Sequence, residues 1–67
     1  MLLEVKIKNL GRNKINEIVH VTNIEAMYRK LSLVLMDEPF EVIKIDSVYE
    51  VVQGSDIVGI LEINVIS

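Results

Sequence analysis

Leu3, Val5 and Ile7 alternate with Glu4, Lys6 and Lys8, and a period of two predicts a strand with one buried and one wet face. Leu10-Gly11-Arg12-Asn13-Lys14 follows. Gly and Asn tolerate positive φ, so this segment reads as a hairpin loop leading into a second strand over residues 15–21. Ile15, Glu17, Val19 and Val21 share one face of that strand, and Asn16, Ile18 and His20 the other.

Thr22-Asn23-Ile24-Glu25 has the spacing of a capping box, in which Thr22 caps a helix and Glu25 reaches back to it. Ile24, Met27, Tyr28, Leu31 and Leu35 then recur every three or four residues, and Glu25 with Arg29 makes an i,i+4 pair in the favourable order. Pro39 disfavours helical geometry at Glu38, so the helix should end by about Met36. Its last turn, Leu33-Val34-Leu35-Met36, is apolar all round. Such a turn is either buried on several sides or met by a partner chain.

From Phe40 the pattern is strand-like again. Ile43, Ile45, Tyr49 and Val51 fall in one phase, Val42, Lys44, Asp46, Val48 and Val52 in the other, and Ser47 interrupts the apolar phase where a bulge or bend would accommodate it. Gln53-Gly54-Ser55-Asp56 is a turn by composition. The last strand, residues 57–66, is apolar in both phases apart from Glu62 and Asn64, and Gly59 inside it signals close backbone approach or another bulge.

These elements predict one α+β domain over residues 1–67 in the order ββαββ, a four-stranded, largely antiparallel sheet with one helix on one face. A small all-β barrel with a shortened helix is the competing architecture. A strand apolar on both faces needs cover on both faces, and one helix covers only one. Ile18, Val42, Val48, Val58, Ile60 and Ile66 are expected on the opposite face as an oligomer interface centred near Val58 and Ile60, becoming more polar towards Glu62 and Asn64. A homodimer is the simplest arrangement.

Composition points the same way. A chain of 67 residues is near the size at which a core needs help, and without cysteine neither disulfides nor thiolate metal sites can supply it. The hydrophobic fraction of 51% argues against disorder. No apolar run reaches the length of a membrane span, and the first residues lack the pattern of a secretory signal, so a cytoplasmic protein is expected. Six of the seven basic residues lie in residues 1–30 and seven of the ten acidic ones in residues 31–67. That asymmetry either steers a charged partner to one side or is mixed away when the halves interleave in the sheet.

No catalytic constellation stands out. His20 is the only histidine, the residue type suited to acid–base work, but no nucleophile motif accompanies it and a structural role is expected. Asp37, Glu38 and Glu41 lack the spacing of a calcium loop and read as a solvated turn. Asp46 and Glu50 would need a cleft to act as a carboxylate pair. Gly11, Gly54 and Gly59 form no phosphate-binding motif. Cofactors and metals are therefore not expected.

Two functional readings follow. The favoured one is a non-catalytic homo-oligomeric interaction module or accessory regulator that binds another protein, still unidentified, through its apolar second face or its acidic C-terminal half. The alternative is a small nucleic-acid-binding regulator using Lys6, Lys8, Arg12 and Lys14 of the first hairpin. Against it, no aromatic residue is interleaved to stack bases, and charged outward residues also protect an edge strand from aggregation.

Overall fold

The alternating run at the start of the chain forms β1 (Leu3–Leu10), which pairs antiparallel with β2 (Ile15–Val21). A computed structural model describing residues 1–67 continues with α1 (Ile24–Val34), β3 (Glu41–Ile45), β4 (Val48–Gln53) and β5 (Asp56–Val65). All neighbouring strands are antiparallel, in the order β2-β1-β5-β4-β3. The protein is thus α+β with one helix and one antiparallel sheet, as expected, but the sheet has five strands rather than four. Its edges, β2 and β3, remain open, unlike those of a barrel.

The extra strand arises at Ser47. Ile45 pairs directly with Val48, and Asp46 has φ 54°, the left-handed geometry required at the first position of a two-residue hairpin turn. The chain therefore reverses where a bend within one strand was expected. A second two-residue turn, with Gly54 at φ 62° in that same position, joins β4 to β5.

Two bulges adjust which side chains reach the core. In β1, Ile7 opposes Glu17 but Leu10 opposes Ile15, so Lys8 and Asn9 together face Asn16. Asn9 has φ 53°. The Asn16 side chain mends the broken ladder, its Oδ1 accepting from the Asn9 N–H at 3.2 Å and its Nδ2 donating to the Lys14 carbonyl at 2.9 Å. The extra residue turns Leu10 to the same side as Leu3, Val5 and Ile7, where it is fully buried. In β5, Gly59 opposes Val51 while Ile57 opposes Val52, which leaves Val58 as the bulged residue.

Met27, Leu31 and Leu35 descend from the helix side onto Leu3, Val5, Ile7 and Leu10 of β1, Leu61 of β5 and Val51 of β4, and these nine residues are the buried core. The helix starts one residue later than the capping box implies. Asn23 is the N-cap, its Oδ1 accepting from the Ala26 N–H at 2.8 Å. At the other end the Asp37 N–H donates to the Ser32 carbonyl at 2.8 Å and the Met36 N–H to the Leu33 carbonyl at 3.3 Å, the paired bonds of a Schellman ending. That ending projects Leu33 and Met36 into solvent, at 74% and 84% exposure.

Candidate functional site

The helix leaves the other sheet face uncovered, and the strand register determines which side chains that face carries. On β1 it presents Glu4, Lys6 and Lys8, opposite the buried Leu3, Val5 and Ile7. Pairing then places His20 and Ile18 of β2, and Asn64, Glu62 and Ile60 of β5, on the same face. Through Glu50↔Ile60 and Val52↔Ile57 it adds Glu50, Val52 and Ile57, and through Ile45↔Val48 and Ile43↔Glu50 it adds Val48, Ile45 and Ile43.

The face divides into a polar and an apolar part. Beside β1 lie the ion pair of Lys8 with Glu62 and a contact of His20 Nε2 with a Glu4 carboxylate oxygen at 3.8 Å. The Lys8 ammonium, by hydrogen bond and by charge, holds the Glu62 carboxyl below the usual glutamate range, with Lys6 adding to the effect. Beyond β5 the surface is Ile60, Val48, Val52, Ile43, Ile45 and Ile57, half-buried or exposed. Glu50 is set within it and Glu41 stands at its border opposite Val52; neither forms an ion pair with a residue of its own chain.

Of the six residues expected at an interface, Ile18, Val48 and Ile60 lie on this face. Val42 and Val58 do not: both pack against the core on the helix side. The turn at Asp46–Ser47 explains Val42, because a two-residue reversal makes odd positions of β3 share a face with even positions of β4. The bulge explains Val58, and Ile57 occupies the place opposite Val52 instead. Ile66 lies just past β5, its N–H bonded to the Leu2 carbonyl at 2.9 Å. The turn likewise brings Ile43 and Ile45 to this face and the bulge brings Ile57, whereas Val52 simply shares the phase of Val48 on β4. The expected gradient along β5 is present, apolar at Ile57 and Ile60 and polar at Glu62 and Asn64.

The basic residues of the first hairpin divide as well. Lys6 and Lys8 lie on the uncovered face between Glu4 and Glu62, whereas Arg12 and Lys14 belong to the loop at the end of the sheet. Because β1 is flanked by β2 and β5, Lys6 and Lys8 do not protect an edge, contrary to expectation. Their pairing with β5 is where the basic and acidic halves of the sequence interleave.

The other candidate groups remain dispersed. His20 is half-exposed on the edge strand. Asp37, Glu38 and Glu41 do not converge into a group of three that could hold a metal ion; the Asp37 carboxylate accepts from the Ser32 hydroxyl at 3.0 Å. On the helix side Tyr28 stacks on Phe40 with ring centroids 5.7 Å apart, and Lys30 pairs with Glu17 at 3.1 Å, tying α1 to β2. No helix is long and apolar enough to cross a membrane.

No protein-family model matches the chain, and neither the curated proteins nor the solved structures gave a match.

Proposed function

We propose that this chain is a non-catalytic interaction module whose working surface is the uncovered sheet face. The observation that carries the reading is the run of Ile43, Ile45, Val48, Val52, Ile57 and Ile60 on one side of a sheet whose other side is already covered by α1. An apolar surface of this kind, bordered by Lys6, Lys8, Glu4 and Glu62, has the core-and-rim arrangement of a protein contact. Nucleic-acid binding by the first hairpin has less support, because Lys8 is already paired with Glu62 and Lys6 stands beside the same carboxylate.

Affinity capture from the native cells tests the reading. Wild-type chain should retain proteins that an Ile60→Arg variant loses, since Ile60 lies on the uncovered face and outside the buried core. Identical captures by the two chains would overturn it.

A further inference from the structure

We infer that two copies of this chain exchange their halves: residues 41–67 of one copy pack onto residues 1–34 of the other, and the connector 35–40 straightens to carry the chain across. Both uncovered faces stay open in such a dimer, so the exchange is independent of the interaction-module reading above.

The connector is strained where the chain must reverse. α1 ends beside Gly11, at the end of the sheet where β3 starts and from which it runs back. Met36 and Asp37 make that reversal at φ 58° and 60°, in the left-handed region that is costly for any residue with a Cβ. Neither is a glycine, and the Met36 side chain gains no packing in return. Strain in a short hinge of this kind favours exchange between copies.

Straightening removes the strain and leaves both of these N–H groups bonded. The Met36 N–H passes from the Leu33 carbonyl to that of Ser32, and the Asp37 N–H from Ser32 to Leu33, as α-helical geometry requires. The helix then runs on to Asp37, and Pro39 stops it there by disfavouring helical geometry at Glu38. Leu33 and Met36, the most exposed apolar side chains of the helix end, come to stand three residues apart on the side away from Met27, Leu31 and Leu35. Two lengthened helices meeting at the two-fold axis cover these side chains with each other.

The halves suit each other across chains as well as within one. Residues 1–34 carry a net positive charge and residues 41–67 a net negative one, so unlike halves attract and like halves repel. They join through the pairing of β1 with β5 and through Val51 and Leu61 in the core beneath α1. All of these contacts recur in the exchanged dimer, and a second copy needs no new complementary surface. Against this, the connector gives the closed monomer an effective concentration on the order of millimolar. Its strain offsets that advantage. Exchange is therefore expected from concentrated chains, and it is slow because β1 and β5 must separate first.

The chain has no cysteine, so an introduced disulfide can mark the exchange. Glu4 and Asn64 are directly paired between β1 and β5, at a spacing that a disulfide bridges. A Glu4→Cys chain and an Asn64→Cys chain, unfolded together and refolded in air at about 300 μM, should form a mixed interchain disulfide that neither chain forms alone. Light scattering of wild type refolded in the same way should show a dimer that persists on dilution. Met36→Gly relaxes the closed connector and should lower the dimer yield at least about fivefold. Met36→Ile, whose branched side chain resists the left-handed region, should raise it. Circular dichroism confirms that each variant is folded, and if a cysteine variant is not, light scattering of wild type and the Met36 variants decides. Folded chains without the mixed disulfide, a wholly monomeric wild type, a dimer that dissociates at once on dilution, or a yield indifferent to both Met36 changes would each overturn the inference. A monomer whose protein captures are still lost on Ile60→Arg would overturn the exchange alone and leave the interaction-module reading intact.

Discussion

Gly59 and Leu10 meet where the bulges of β1 and β5 adjoin: a Cβ on Gly59 would stand 2.7 Å from Leu10 Cδ1 and 3.3 Å from Leu10 Cα. The first bulge turns Leu10 into the core, and the second brings the Gly59 backbone beneath it. Only a residue without a side chain fits there. Gly59→Ala should lower stability by about 1–3 kcal/mol through overpacking, read as a lower urea midpoint with an unchanged m-value. A variant as stable as wild type would mean that Leu10 can be displaced freely.

The helix ending carries strain that a single change should relieve. Met36 has φ 58° and its side chain is exposed, so a left-handed conformation is imposed with no packing in return. Met36→Gly should raise stability by about 0.5–1 kcal/mol, the unfolded-state entropy of glycine offsetting part of the relief. Thermal unfolding measures it, and a lower melting temperature would contradict the Schellman ending.

Thr22 and Asn23 make opposite claims on the start of the helix. Because Asn23 Oδ1 accepts from the Ala26 N–H, Asn23→Ala should cost about 1 kcal/mol and Thr22→Ala only a few tenths. Denaturant unfolding of the two variants side by side decides between the caps. A larger loss at Thr22 would return the capping box to the position its spacing implies.

The Lys8 and Glu62 pair should make stability depend on acid pH. Its folded carboxyl titrates below the usual glutamate range, so the contribution is present in full above the unfolded value of about 4.3 and disappears as pH falls through the folded one. The difference in urea midpoint between wild type and Glu62→Gln should be constant well above the unfolded value, shrink as the pH falls below it and fall with added salt. A difference independent of pH would show that the pair contributes nothing.

Local pattern by itself determined the alternating strand at Leu3–Ile7, the hairpin into residues 15–21, the helix through Met27 and Leu31, its end before Pro39, and the polar finish of β5. Each depends on neighbours a few positions away, and strand alternation, helical spacing and proline leave their mark at that range. The chain's aliphatic excess over what one helix can cover was legible too, since it is a matter of quantity.

Only the tertiary structure decided which residues make up the uncovered face. A two-residue reversal at Asp46–Ser47 and one extra residue at Val58 each shift strand phase by one position, and a shift of one sends every following side chain to the opposite side of the sheet. Val42 and Val58 thereby joined the helix side, while Ile43, Ile45 and Ile57 came to the open one. The row of Lys8, Ile60 and Glu50 across β1, β5 and β4 belongs to this level as well: these residues are far apart along the chain and become neighbours only when β5 inserts between β1 and β4. Hydrogen-bonded pairing across the sheet, which no single segment encodes, sets that order.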